Sequence, residues 1–268
     1  MNKVKLLITS LILISGMVSL VVASDPIKDH KGKDITACEV IDNLPSEELN
    51  KAERSALLLM IEEEKLARDV YITLGEKYDV NVFKHISDAE NRHLEAIACL
   101  FGKYNLENPV EGKALGEFSN RKFRELYESL VIRGKTDLTE ALKVGATIED
   151  LDIYDLNELL DNSNIDNQDL KSVFKELVRG SRNHMRAFTK NLDKQNASYE
   201  VQHISKDDYK AIINGEQERG GWLCGDEKPR DSRVKSCKGE KGNCGKNCKD
   251  HSSQNHDCKG KGNQHGKH

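Results

Sequence analysis

The chain has little of what interrupts helices and little of what builds sheets. Of its 268 residues only four are proline, and Pro45 and Pro109 fall at the edges of helical patterns. Residues 46–195 contain no convincing period-two alternation and no hairpin signal, so strands are not expected there. The seven cysteines include no Cys-x-x-Cys pair. From Cys224 onward Val234 is the one classical apolar residue apart from cysteine, and no aromatic residue follows Trp222. Such a segment cannot bury enough surface to offset the entropy of ordering, so residues 211–268 are expected to form a disordered tail rich in cysteine, histidine, lysine and glycine. From Cys224 the tail carries 11 Lys/Arg against 6 Asp/Glu, a net +5, which leaves −9 of the total −4 on residues 1–223. That asymmetry reads as solvated charge. With no aromatics to stack on bases, a nucleic-acid partner is not expected.

The first residues have a different character. Lys3 and Lys5 precede 18 uncharged residues, Leu6 to Ala23, with small residues before Ser24. This is the pattern of a secretory signal peptide over 1–23. The competing reading is an uncleaved membrane anchor, the one route by which this chain would meet a membrane. Both imply an exported protein, periplasmic, extracellular or at the cell surface. Residues 24–45 read as a linker.

What remains is helical pattern over 46–210. Ser46 is the expected cap of a first helix, whose stripe holds Leu57, Met60, Ile61, Glu64, Ala67, Tyr71 and Leu74. A second helix is expected from about Asn81 to Tyr104, stopping before Asn108-Pro109. A connection with Gly112 and Gly116 follows, then a shorter helix near 119–133. Asp137-x-x-Glu140 has capping-box spacing for a third long helix, and Asp166-x-x-Asp169 marks a fourth. Gly145 and Gly180 lie inside these last helices, where each costs about 1 kcal/mol unless close approach or a break requires it. Two long helices, a long crossover and two more describe an all-α, ferritin-like four-helix bundle.

Each long helix offers a metal-ligand type among apolar neighbours. Glu90 and His93, three apart, share a face with Phe83, Ile86, Ile97 and Phe101. A Glu-x-x-His on an inner face is how di-iron carboxylate bundles present ligands. The first helix offers Glu64, the third Glu149 and Asp152, and the fourth His184. Carboxylates and imidazoles suit iron or manganese. Each has a plainer reading. Glu62-Glu63-Glu64 followed by Lys65 is usually a solvated face. Ser87-x-x-Glu90 has capping-box spacing. Glu149 beside Asp150 reads as a surface acid, and a lone histidine is more often a core or surface group than a ligand.

The segments EEEKLARDVY, ENRHLEAI, LKVGATIEDLDIYDL and GSRNHMRAF, in that order, resemble an uncharacterised prokaryotic ferritin-like family, a domain-of-unknown-function family related to rubrerythrins. The resemblance covers about residues 46–210. It implies a non-haem di-iron centre that reacts with dioxygen or peroxide, held by Glu64, Glu90, His93, Glu149, Asp152 and His184, with Tyr71 near the metals. Two departures stand out. The full motif would place glutamate where this chain has Ser181, and no rubredoxin module follows to donate electrons.

Cys99 reads as a small buried apolar residue and Cys38 as part of the linker. An odd total leaves at least one thiol free or intermolecular. Cys237, Cys244, Cys248 and Cys258 with His251 and His256 form either a soft-metal tract for zinc or copper or a set of disulfides. Three functions follow: a ferroxidase or peroxidase-like enzyme, a non-enzymatic sequestration protein with a scavenging tail, or a metal-free structural bundle. A homodimer is compatible with each.

Overall fold

A computed structural model describes residues 34–219 together with Ile27–Lys28, with side chains described over 36–219. The segment expected as a signal peptide and the cysteine-rich tail, with Cys237, Cys244, Cys248, His251, His256 and Cys258, lie outside the described residues. The fold is all-α apart from one antiparallel pair of two-residue strands, β1 (Ile27–Lys28) and β2 (Asp34–Ile35), with Ile27 opposite Ile35. Seven helices follow among the described residues: α1 (Ala37–Asp42), α2 (Lys51–Tyr78), α3 (Asn81–Lys103), α4 (Arg121–Gly134), α5 (Leu138–Asp161), α6 (Gln168–Lys194) and α7 (Lys206–Asn214). Among the described residues no helix is long and apolar enough to cross a membrane.

The four long helices close a ring. α2 packs on α3, α3 on α6, α6 on α5 and α5 back on α2. Their inward stripes fill the centre with Leu57, Ile61, Phe83, Ile97, Leu156, Phe174 and Phe188, all 3% exposed or less. Tyr71, Phe83 and Phe188 meet as an aromatic trio, with centroids 5.2–6.5 Å apart. Gly145 and Gly180 serve close approach: a Cβ at Gly145 would collide with the Phe188 ring, and one at Gly180 would lie 2.5 Å from His93 Nε2.

Buried carboxylates tie the connections to this core. Asp69 accepts from Gly116 N at 2.8 Å and pairs with buried Lys65, which donates to Ala114 O and stacks over Phe118. These contacts hold the crossover between α3 and α4 on α2. Gly116 has φ +74° and a Cβ there would strike Tyr127, so only glycine fits. Asp150 accepts from Tyr199 Oη and from the amides of Gln202, His203 and Ile204, pinning the approach to α7. Asp169 accepts from Tyr104 Oη and pairs with Lys103.

Several expected boundaries move, each for a local reason. α2 starts at Lys51 rather than after Ser46, because Asn50 accepts from Ala52 N and Glu53 N while Glu53 returns to Asn50 N. Asn50-x-x-Glu53 is the better capping box. α6 starts at Gln168 with Asn167 at its cap position, and no side chain caps it. The Asn167 oxygen accepts instead from Glu47 N, and its amide donates to Glu53. The stretch expected as linker contains α1, capped by Thr36 and Glu39. Cys99 is not a plain apolar filler: it forms a disulfide with Cys38 that fastens α1 to α3. Order also passes residue 210. α7 ends at Asn214, and Glu218 is held by Arg182 and Arg186 on α6.

Two outcomes follow from these contacts. The disulfide closes a separation of 61 residues. Cys38→Ser is therefore expected to lower stability by about 3–4 kcal/mol in urea unfolding, a loss that the reduced wild type should match. Glu53, 1% exposed, accepts from Asn50 N, Asp166 N and Asn167 N and Nδ2. Burial works against its charge, but these bonds hold its pKa below the usual 4.5. A depressed carboxylate adds stability that is present above its unfolded pKa and lost as pH falls through the folded one. Glu53→Gln should cost about 2–3 kcal/mol at neutral pH. The gap from wild type should narrow below about pH 4.5, as read by denaturant midpoints across pH.

Candidate metal centre

The ring of helices brings polar ligand atoms to one level of the core. α2 supplies Glu64, α3 supplies Glu90 and His93, α5 supplies Glu149 and Asp152, and α6 supplies His184. All six are buried, none more than 8% exposed. The Glu62–Glu64 run is not a solvated face, since all three carboxylates are buried. Glu90 is not a cap, because α3 begins at Asn81. Neither Glu149 nor Asp150 is a surface acid.

Glu90 lies at the middle of the arrangement. Its Oε2 is 2.7 Å from His93 Nδ1, and its Oε1 is 2.9 Å from His184 Nδ1. Each histidine nitrogen also meets a second carboxylate: His93 Nδ1 is 3.0 Å from Glu64 Oε2, and His184 Nδ1 is 3.4 Å from Glu149 Oε2. The two rings are 5.6 Å apart. Two groups of potential ligands result, Glu64–Glu90–His93 and Glu90–Glu149–His184, each with its donor atoms within 4.8 Å of one another. Both groups could hold a metal ion, and they share Glu90.

Hydrogen bonds account for only part of these contacts: His93 Nδ1 and Glu64 Oε2 form one at 3.0 Å. Glu90 Oε1, Glu149 Oε2 and His184 Nδ1 are buried and make none among the described residues. Elsewhere in the core Asp69, Asp150 and Asp169 each have aligned donors. Orphaned polar atoms cost about 1–3 kcal/mol each, so their convergence here calls for a further partner. A cation fits the donor set: the oxygens of the carboxylates and the imidazole Nδ1 atoms suit a divalent transition metal. Four carboxylates also balance the charge of two divalent cations when both histidines are neutral.

The electrostatics without a cation are unfavourable. Burial pushes the Glu64 carboxyl up to about 8, with His93 opposing the rise and Glu90 adding to it. Burial raises Asp152 well above its usual range, and Glu149, Glu64, Glu63 and Glu90 raise it further. Burial also raises Glu149, against the pull of His184. Burial opposes charge on His184, but Glu90 and Glu149 push its pKa up to about 9. Glu90 is the exception: burial works against its charge, yet His184 and His93 hold it well below the carboxylate range.

The surroundings fix the ligands. Tyr71 donates to Glu149 Oε1 at 2.6 Å, leaving Oε2 turned to His184. Its hydroxyl also lies 3.3 Å from Gly145 O. Gly180, which has no side chain, allows the His93 ring against α6. Ser181, where an acid would complete the ligand pattern, is buried and donates to Leu177 O within its own helix. Gly180, marked in the sequence as a helix glycine that close approach or a break would explain, serves close approach, and the group that approaches is His93. Sequence reasoning passed over Glu63, which the acidic run disguised.

The uncharacterized protein MJ0754 of Methanocaldococcus jannaschii is 47% identical over 182 residues, covering 68% of this chain and 97% of that protein. The crystal structure of hypothetical protein MJ0754 from Methanococcus jannaschii matches with a TM-score of 0.64 at 46% identity, covering 66% of this chain and 99% of that one. Residues 53–216 match the uncharacterized protein domain DUF2202, and the chain belongs to that family.

Proposed function

We propose that the chain is an exported, ferritin-like metalloprotein whose four long helices form a four-helix bundle around a non-haem di-iron centre. The observation that carries this reading is Glu90, one carboxylate shared by two histidine-containing ligand groups. In such a centre Glu64 and His93 would hold one cation, Glu149 and His184 would hold the other, and Glu90 would be available to both. Asp152 supplies the fourth negative charge. Manganese satisfies the same donors. Iron bound there would supply the electrons that reduce dioxygen or peroxide, in a ferroxidase or peroxidase-like reaction. Tyr71 keeps Glu149 oriented, and the aromatic trio keeps water from one end of the centre. The Cys38–Cys99 disulfide suits an oxidising compartment and supports export.

A second reading is sequestration without turnover. Ser181 favours it, because α6 then contributes a histidine and no acid. The tail would add zinc or copper ligands. The two readings separate on one preparation: metal content of the purified protein, then absorbance after adding ferrous iron under air or under peroxide. About two irons with repeated oxidation support the enzyme, and stable binding without turnover supports sequestration. A wild-type chain that binds no iron sinks both.

Variants sharpen the test. Glu90→Ala should abolish binding of both cations, whereas loss of Glu64 or Glu149 should first weaken one. Gly180→Ala removes no ligand but displaces His93, and should weaken cation affinity about 10–100-fold in titrations. Cations must displace protons from the raised carboxyls and from the histidines, so affinity should rise with pH through the Glu64 value of about 8 until His184 has lost its proton, at about 9.

A further inference from the structure

A second set of acids lies between the centre and the surface. On α5 acids recur every third residue, Glu149, Asp152 and Asp155, in a row of adjacent positions that climbs about 9 Å while turning about 120° round the helix. Their exposure rises in that order: Glu149 is fully buried, Asp152 is 4% exposed and Asp155 is half-buried. Glu63 approaches this row from α2, and its carboxyl meets that of Asp155 in a side-chain hydrogen bond. Asp152 stands within electrostatic reach of Glu63 on one side and of Glu64, Glu90 and Glu149 on the other. Among the described residues, no ion pair joins Glu63, Asp152 or Asp155 to a lysine or arginine.

Glu63 itself is 4% exposed, and its Oε2 is buried with no hydrogen-bond partner. It therefore has an acceptor to offer at the place where the acids meet. Two carboxyl groups in direct contact need either a shared proton or a cation between them. The outer member, Asp155, is near exposed His203, whose ring lies 6.2 Å from that of Tyr154 at the surface. Glu62 differs in part: its Oε1 accepts from Asn120 N, although its Oε2 is also buried without a hydrogen-bond partner.

We propose that Glu63 and Asp155 form an inlet site for divalent cations, which pass by way of Asp152 to the shared-glutamate centre. The proposal rests on the two-cation reading of that centre. All-oxygen carboxylate donors suit a labile, hard divalent ion in transit better than a tightly held one.

The test is the rate of Co²⁺ uptake by the metal-free full chain, followed by stopped-flow absorbance. Glu63→Gln combined with Asp155→Asn should slow uptake roughly tenfold, in the range by which focused charge alters cation on-rates, while the final amount bound in the centre stays the same. Glu158→Gln, which removes an exposed acid from the same helix, should leave the rate unchanged. Asp155→Asn alone, at a half-buried position, should slow uptake by a smaller factor and keeps the test open if the double variant fails to fold. Uptake as fast in the variants as in wild type overturns the inlet and makes Glu63–Asp155 a proton-sharing pair, with the centre intact. A wild-type chain that takes up no Co²⁺ overturns the reading of the centre, and the inlet with it.

Discussion

Ten carboxylate side chains are buried among the described residues, against one lysine and two histidines. Burying a charge is costly unless it is paired or fully hydrogen-bonded, so the fold depends on how those ten are compensated. Eight of them fall into two kinds, with Glu62 and Glu63 outside both. Glu53, Asp69, Asp150 and Asp169 gather backbone amides, tyrosine hydroxyls or a lysine, and each fastens a connection to a long helix. Glu64, Glu90, Glu149 and Asp152 gather two histidines and one tyrosine, and converge on one another. The first kind is how this chain anchors its loops with acids. The second kind makes sense as a place for positive charge that the protein does not itself supply.

That division explains which features of the chain were legible in its sequence. The long helices were readable because their apolar stripes run for many turns and no proline interrupts them. α3 and α5 begin and end within a residue or two of where their patterns do. Capping detail was harder. Ser46 has the right chemistry for a cap, but Asn50 has the reciprocal partner at Glu53, and two bonds outweigh one. Asp166-x-x-Asp169 marked the start of α6 only roughly: the cap position falls to Asn167, whose side chain is engaged by Glu47 and Glu53 more than a hundred residues away, which no local pattern reveals.

The candidate ligands were legible for a different reason. Glu90 and His93 sit on a strongly apolar face, where a polar pair demands an explanation. Glu64 and Glu149 did not stand out, because each lies in a run of acids that looks solvated. Only the packed helices separate Glu62, Glu63 and Glu64 by direction: toward the crossover, toward α5 and toward the centre. The Cys38–Cys99 bond was hidden likewise, since one partner lay in apparent linker and the other in a helix face that accepts any small apolar residue.

Ser181 links these observations. In a symmetric arrangement the acid balancing Glu90 would come from α6, opposite α2. In the proposed centre the fourth carboxylate would be Asp152 on α5, one turn beyond Glu149. Its displacement moves negative charge toward α2 and toward Glu63 and Asp155, away from α6. The Ser181 hydroxyl bonds to its own helix, and Gly180 beside it lets His93 approach, so α6 is shaped to accept a ring where it gives up an acid. The asymmetry is therefore directional. The side of the centre that lacks a carboxylate is closed by close helix contact, and the side that gained one faces the remaining acids that lead to solvent.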